Sequence, residues 1–284
     1  MAHPLALGFF NTPEQPNPTK LEVEGSIPLW LKGSLYRGGP GTYDVGTYTA
    51  EHWFDGFTRL NRFEISNGEV SYRSRNATHE LVAFIEETGR SPGPLFAQDP
   101  CKMIFGALES TFRDRRPISE LPSIKNVGVD WIKNWPGLGR TSSTAGSLEN
   151  LVATTDANEL SRNSGAPRGF DYQRYRDAFD PAGMSAAHPS HGTDGSLYNY
   201  ILLPTEDGGA QYKVFELNPE GKVRVLATID DAPASYIHEV FGTENFVILI
   251  VWQAHLELEK VGSTGSVLGG MKPWDKDSDS LFCA

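Results

Sequence analysis

The sequence predicts an all-β protein arranged as a sandwich, a barrel or a propeller. Short runs rich in Val, Ile, Phe and Tyr follow one another at close intervals, and helical patterns are rare. Glycine (29 residues) and proline (19 residues) are abundant without forming a repeat, which is typical of a fold with many turns. Hydrophobic residues make up 39% of the 284 residues, enough to bury a sizeable core.

Charge and cysteine content argue against several functional classes. The chain carries 25 Lys and Arg against 36 Asp and Glu, a net charge of −11 that does not suit a nucleic-acid partner. Its two cysteines, Cys101 and Cys283, are far apart and predict neither a disulfide framework nor a thiolate zinc site. Because no run approaches the roughly 18 apolar residues of a membrane span, and no signal-peptide pattern is present, we expect a cytoplasmic protein.

The first part of the chain combines an extended arm with a glycine-rich segment. Residues 1–25 are rich in Pro and Asn and predict the arm. Residues 27–41 then carry an apolar cluster into Gly38-Gly39-Pro40-Gly41, which is typical of a tight turn. The segment lacks the Lys-Ser/Thr of a phosphate-binding loop, so we do not expect nucleotide binding.

Two β-hairpins are predicted. In residues 57–75, two apolar runs flank Asn67-Gly68, a dipeptide that tolerates the positive φ angles of a tight hairpin turn. A second hairpin spans residues 211–229, with its turn at 218–221. The alternation of charged and apolar residues after this turn predicts a strand with one buried face.

Three single strands and one helix complete the prediction. The strands are 151–156, 197–204 and 246–253, and the last is apolar on both faces, as expected for a fully buried strand. Residues 135–148 and 158–182, rich in Gly, Ser, Pro and charge, are predicted as loops. The helix starts at Asp99-Pro100, which supply an N-cap and a first-turn proline; Ile104, Leu108 and Phe112 recur along one face.

Two of the seven histidines stand in matching contexts. Taken singly, a histidine is more often a structural or surface residue than a metal ligand. His188 and His238, however, each precede a predicted strand pair and lie 50 residues apart, near the roughly 40–50 residue period of four-stranded propeller blades. Equivalent positions on adjacent blades point toward one central axis. We interpret His191, three positions after His188, as a polar turn residue.

The segments around these histidines, "SAAHPSHGTDGSLYNY" and "SYIHEVFGTENFVILIVWQ", resemble the first two histidine motifs of the carotenoid cleavage oxygenases. Further pieces follow in the order of that family: "GSLYRGGPG", "EHWFDGFTRLNRFEI", "AQDPCKMIFGALESTF" and "LVATTDANEL". The resemblance implies the N-terminal half of a seven-bladed β-propeller, with about four blades present and a short helical cap segment. It divides the chain into the arm 1–25, an incomplete propeller 26–255 and a divergent or truncated tail 256–284.

The same resemblance implies non-haem Fe(II) held by four imidazoles. His188 and His238 match the first two ligand positions. Asp156 stands where the family has Glu, and it is carried over as the carboxylate that accepts the far ring N–H of His238. An interpretation of equal weight is that Asp156 merely ends a strand at a turn. Motifs for the third and fourth ligands do not follow in this chain.

The resemblance implies oxidative cleavage, with O₂, of a double bond in an apolar conjugated substrate: a carotenoid, an apocarotenoid or a stilbene. We expect the chain by itself to be inactive. The alternative is a non-catalytic, propeller-derived fragment or binding protein. Ligands for a calcium-dependent hydrolase propeller are not gathered in the sequence. Residues 92–112 predict either an amphipathic helix in peripheral contact with a membrane or a lid helix over the propeller.

Overall fold

The computed structural model divides the chain into two compact units. The first comprises residues 1–92 and 117–131, and the second comprises residues 93–116 and 132–284. The residues that the structure describes are 4–92, 94–99, 101–102, 126–138, 148, 150–158, 160–163, 170–173, 179, 183–206 and 208–284.

The first unit contains a four-stranded antiparallel sheet. Its strands are β1 (Thr19–Leu21), β2 (Gly33–Thr42), β3 (Asp44–Val45), β4 (Tyr48–Thr49), β5 (Phe57–Ser66) and β6 (Glu69–Asn76). The sheet has the order β1-β6-β5-β2, and β3 pairs with β4. Two 3-10 helices, Pro4–Phe9 and Trp53–Asp55, lie beside these strands in the chain.

The first predicted hairpin is confirmed. Strands β5 and β6 pair in register from Ser66↔Glu69 to Arg59↔Asn76. At the turn, Asn67 has φ 53° and Gly68 has φ 76°. Positive φ at both central residues is the geometry that an Asn-Gly pair predicts.

The predicted turn at Gly38-Gly39-Pro40-Gly41 is wrong, because these residues form the second half of β2 and pair with β5. Glycine is needed at two of these positions because neighbouring atoms leave no room for a side chain. A Cβ on Gly38 would lie 2.6 Å from the carbonyl oxygen of Gly128, and one on Gly41 would lie 2.5 Å from the Arg59 side chain. Pro40, which has no N–H to donate, sits where the register of the pair shifts.

The prediction of a single helix is also wrong. Helix α1 (His79–Thr88) follows β6, and it buries Leu81 and Ile85 one turn apart in a cluster with Val45 and Phe57. Gly89, at φ 72°, ends it by donating its N–H to the Ile85 carbonyl. The i, i+4 spacing of the two buried residues is the helix signal in this segment of the sequence.

The helix predicted from Asp99 lies mostly outside the described residues. At its start, the Cys101 N–H donates to Asp99 Oδ1 at 2.8 Å, and residues 101–102 are helical. Among the residues that the structure describes, no helix combines the length and apolar character needed to cross a membrane.

The second unit contains three antiparallel sheets. Their strands are β7 (Asp130–Lys133, across the boundary between the units), β8 (Leu151–Thr154), β9 (Leu160–Asn163), β10 (Phe170–Gln173), β11 (Met184–Ser185), β12 (Ser190–His191), β13 (Leu197–Pro204), β14 (Ala210–Leu217), β15 (Val223–Ile229), β16 (Phe241–Gly242), β17 (Val247–Val251) and β18 (Leu281–Cys283). The orders are β10-β9-β8-β7, β11-β13-β14-β15 with β12 also on β13, and β16-β17-β18. Helices α2 (Leu258–Thr264) and α3 (Val267–Gly270) precede β18.

Sheet β11-β13-β14-β15 lies at the centre of the second unit's core. Strand β13 has the predicted bounds, and the predicted hairpin 211–229 is β14-β15. Phe215 and Ile201 are fully buried in one apolar cluster, while Tyr200 and Tyr212 are fully buried in another. Strands β13 and β14 therefore contribute side chains to both clusters, so both of their faces are buried.

Three burial or loop predictions in this unit are wrong. Strand β15 is the outer strand of its sheet and buries neither face: Val225 is 46% exposed. Strand β17 is fully buried on one face only, since Leu249 and Val251 are enclosed while Ile248 and Ile250 are partly exposed. Residues 158–182 contain β9 and β10, whose backbones pair in a way that side-chain composition does not reveal.

Candidate metal centre

Two backbone hydrogen bonds hold the segments of His188 and His238 side by side. The His188 N–H donates to the His238 carbonyl at 3.2 Å, and the Val240 N–H donates to the His188 carbonyl at 3.2 Å. Residues His188 and Glu239 form a parallel bridge between the segments. The imidazole ring centres are 4.8 Å apart, with their planes at 76°. The structure thus brings the two predicted ligands together.

Two side chains of strand β13 form hydrogen bonds with the backbone just before each histidine. The Asn199 amide accepts from the Ala186 N–H at 3.2 Å and donates to the Ala186 carbonyl at 3.0 Å, two residues before His188. The Tyr200 hydroxyl donates to the Ile237 carbonyl at 2.8 Å, one residue before His238. Burial, and then the charge of Asp156, raise the pKa of Tyr200 well above its ordinary value, so the hydroxyl stays a neutral donor.

Asn199 and Tyr200 were not singled out from the sequence. Both are buried in the described structure, with relative exposures of 1% and 0%. A signal was present, because Asn199 is an amide near the start of the largely apolar stretch "LYNYILLP". A buried amide in a strand needs hydrogen-bond partners, and here the partner is the segment that leads to His188.

Asp156 contacts His238 directly. Its Oδ1 lies 2.7 Å from Nδ1 of His238. Asp156 follows strand β8, and its carbonyl accepts the Ser185 N–H at 3.3 Å, which ties it to the segment before His188. Since a carboxylate only accepts, this contact favours the tautomer of a neutral imidazole that has its proton on Nδ1 and its lone pair on Nε2. This is the tautomer that a metal-binding histidine needs.

Tyr236 is a further member of the group, and it was not predicted from the sequence. Its hydroxyl donates to Asp156 Oδ2 at 2.9 Å and lies 3.3 Å from His238 Nδ1. Burial, and then the neighbouring Asp156, raise the pKa of the Tyr236 phenol. The signal available in the sequence was its position two residues before His238, since alternate residues of an extended segment share a face.

The remaining histidines of interest do not join this group. His191 is exposed in strand β12. His79 is the first residue of α1, in the other unit. His255 forms a bridge with Ser235, and its Nδ1 is buried without a hydrogen-bond partner.

The paired imidazoles fit part of a metal-binding set. With a metal–nitrogen bond of about 2 Å, the ring centres of two neighbouring imidazole ligands lie roughly 4.5 to 5.5 Å apart. The observed 4.8 Å falls within this span. Within the described ranges, however, no group of three or more His, Cys, Asp or Glu is placed to hold a metal ion. The described residues therefore present two imidazoles and one neighbouring carboxylate, which is less than a complete site.

Comparisons with known proteins place this chain in a family. The model for the family described as "Retinal pigment epithelial membrane protein" matches residues 9–283. The chain is 31% identical to a torulene dioxygenase of Gibberella fujikuroi over 313 residues, which covers 96% of this chain and 52% of the relative. It is 28% identical to the β,β-carotene 15,15′-dioxygenase of Homo sapiens, covering 89% of this chain and 47% of the relative. The chain thus spans about half the length of these curated relatives.

Solved structures show the same fold. A chimera of apocarotenoid oxygenase and RPE65 superposes with a TM-score of 0.66 at 20% identity, covering 98% of this chain and 55% of the other. A cobalt-substituted apocarotenoid oxygenase of Synechocystis gives a TM-score of 0.66 at 19% identity, with the same coverage. These matches confirm the predicted all-β architecture and fit a partial β-propeller whose described sheets are not closed.

Proposed function

The chain belongs to the retinal pigment epithelial membrane protein family, which includes the carotenoid oxygenases, and from this premise we propose that its sequence is part of a non-haem Fe(II) dioxygenase. The proposed reaction is oxidative cleavage of a carbon–carbon double bond in a carotenoid or apocarotenoid. The names of the curated relatives support this substrate class. A stilbene substrate rests on the sequence resemblance alone. The observation that carries the proposal is that His238 lies beside both His188 and Asp156.

In this proposal His188 and His238 are two of the iron ligands. Neutral imidazole is a suitable ligand for Fe(II) and leaves the ion its full positive charge. Bound Fe(II) supplies the redox chemistry by which O₂ and an alkene give two carbonyl products. Asp156 holds His238 in the tautomer whose Nε2 is free to bind. Asn199 and Tyr200 keep the two histidine segments in place.

We further propose that the 284-residue chain alone binds iron weakly and lacks oxygenase activity. Two imidazoles are fewer than the four that the resemblance implies. The division into an arm at 1–25, an incomplete propeller at 26–255 and a tail at 256–284 belongs to the same proposal. The second candidate function is a non-catalytic binding fragment. It is favoured by the lack, within the described residues, of any group of three potential metal ligands.

Metal binding by matched variants tests the proposal. Co(II), a spectroscopic stand-in for Fe(II), is titrated into the wild-type chain and into His188→Ala, His238→Ala and His191→Ala. We expect His188→Ala and His238→Ala to abolish the absorption of bound Co(II), and His191→Ala to match wild type, because His191 lies exposed in β12. Equal Co(II) binding by all four proteins would overturn the ligand assignment.

Activity is assayed separately. A longer protein that carries this sequence is expected to cleave β-carotene or torulene when loaded with Fe(II), and the 284-residue chain is expected not to. Cleavage by the short chain would contradict its proposed inactivity. Failure of the longer protein on every carotenoid and apocarotenoid, with iron bound, would favour the binding fragment.

Peripheral membrane contact through residues 92–112 is a sequence-based part of the proposal, because carotenoids dissolve in membranes. Most of this segment lies outside the described residues. Flotation with liposomes compares wild type with Phe105→Asp. We expect the variant to float less, because a charge weakens insertion of an apolar helix face into the interface. Equal recovery with lipid would leave the segment as a lid helix.

A further inference from the structure

We propose that Tyr236 is a positioning residue for His238 and that it acts through the carboxylate of Asp156. This inference deepens the proposed function and rests on His238 being a metal ligand. The two oxygens of Asp156 have different partners: Oδ1 lies 2.7 Å from His238 Nδ1, and Oδ2 accepts the Tyr236 hydroxyl at 2.9 Å. The phenol, the carboxylate and the imidazole form one connected group.

The second hydrogen bond matters because Asp156 has a short side chain with a terminal torsion that rotates easily. A carboxylate held only through Oδ1 can rotate and move Oδ1 away from the imidazole. With Tyr236 on Oδ2, rotation breaks a charge-assisted hydrogen bond, which is stronger than a neutral one. Tyr236 thereby holds Oδ1 against the imidazole and keeps the proton on Nδ1.

Tyr236 is itself held by contacts that do not involve Asp156. Its ring is 8% exposed and lies in an apolar cluster with Ala254 and Leu256. The Phe96 ring meets it edge-on, with ring centres 5.5 Å apart. Its backbone N–H donates to the Ala254 carbonyl at 2.9 Å. The core therefore positions the hydroxyl independently of the carboxylate.

The first test needs no metal. Nitrogen-15 NMR of the histidine rings reports which nitrogen of His238 carries the proton in wild type, Tyr236→Phe and Tyr212→Phe. Tyr212→Phe is the matched control, because its buried hydroxyl donates to the Pro233 carbonyl at 2.8 Å and accepts the Ser235 N–H. We expect the Nδ1–H form to dominate in wild type and the control, and the Nε2–H form to rise clearly in Tyr236→Phe.

The second test measures Co(II) affinity in the same proteins and in the background of Asp156→Asn. Tyr236→Phe is expected to weaken binding about threefold to tenfold, less than loss of the carboxylate itself. In the Asp156→Asn background the same substitution is expected to change binding little, because the carboxylate through which Tyr236 acts is gone. Equal losses in both backgrounds would mean that Tyr236 acts only on packing, and would overturn the proposal.

A third measurement avoids the Tyr236 substitution in case that variant does not fold. The hydroxyl proton of Tyr236 is observed in wild type and Asp156→Asn. It is expected to shift and exchange faster in Asp156→Asn, while the Tyr212 hydroxyl proton stays unchanged. An unchanged Tyr236 proton, or an unchanged His238 tautomer in Tyr236→Phe, would overturn the proposal. If the wild-type chain binds no Co(II), the iron assignment fails, whereas the two NMR tests still decide the role of Tyr236.

Discussion

The Nδ1 atom of His238 lies 2.7 Å from Oδ1 of Asp156, although the two residues are 82 positions apart in the chain. An aspartate side chain is one methylene shorter than the glutamate of the related family motif, yet it reaches the imidazole. The backbone places Asp156 close enough for this contact. The Ser185 N–H donates to the Asp156 carbonyl, and this hydrogen bond holds the residues after β8 next to the segment that leads to His188.

Replacing Asp156 by Asn is therefore expected to weaken Co(II) binding about 10- to 100-fold, the usual effect of losing an orienting carboxylate. The amide no longer favours the Nδ1–H tautomer by charge. The measurement is a Co(II) titration followed by absorption. Asp194→Asn is the control, because Asp194 only caps its own turn through Ser196. Equal affinities in the two variants would contradict the orienting role of Asp156.

Asn199→Ala should lower both stability and metal affinity. The substitution leaves the N–H and carbonyl of Ala186 without their side-chain partner in a buried place, which costs about 1 to 3 kcal/mol. Because Ala186 leads to His188, Co(II) binding should weaken as well. Urea unfolding and Co(II) titration are the measurements. Asn218→Ala, in the β14–β15 turn, should lower stability alone; if it weakens Co(II) binding equally, Asn199 has no specific role at the site.

Gly68→Ala should destabilise the first unit by about 1 kcal/mol, because alanine adopts positive φ at a cost. Gly68 has φ 76° in the hairpin turn. Gly39→Ala is the matched control, since a Cβ there meets no atom within 4 Å and its φ is not positive. Urea unfolding of both variants is compared with wild type. A loss in Gly39→Ala as large as that in Gly68→Ala would argue against the conformational explanation.

Leu226→Lys is expected to reduce self-association of the chain. Leu226 is 39% exposed on β15, the outer strand of its sheet, and such strand edges pair with other chains unless charge prevents it. Sedimentation velocity at increasing protein concentration measures the effect. Ser66→Lys, at the exposed end of β5, adds the same charge elsewhere. If Ser66→Lys suppresses association equally, net charge and not the strand edge is the cause.

The free energy of unfolding should fall as the pH rises above 10. Burial, followed by the charges of Asp55 and Glu51, raises the pKa of Tyr48 from 10.0 to about 12. Between these values the unfolded chain loses the proton of Tyr48 while the folded chain keeps it, so stability is full below pH 10 and declines toward pH 12. Urea unfolding at several pH values should show a shallower decline in Tyr48→Phe. An unchanged slope would remove Tyr48 as a cause.

Local sequence patterns correctly predicted the secondary-structure elements that depend on neighbouring residues in the chain. The Asn67-Gly68 hairpin and strand β13 appear where the residue types require them, because turn angles and strand alternation depend on immediate neighbours. The prediction of a turn at Gly38 and Gly41 was wrong. These positions are glycine because a larger side chain would clash with Gly128 and Arg59, which are distant in sequence. The prediction of a buried face on β15 was also wrong, because burial depends on which layers cover a strand.

At the candidate metal centre, the sequence alone predicted His188 and His238 from their spacing and motifs, and Asp156 from the family resemblance. Only the tertiary structure decided that the imidazoles are neighbours and that Asp156 reaches Nδ1. It also added Tyr236, whose hydroxyl meets a carboxylate 80 positions away. The physical reason is that hydrogen bonds act over about 3 Å in space, whereas sequence patterns report on neighbours along the chain.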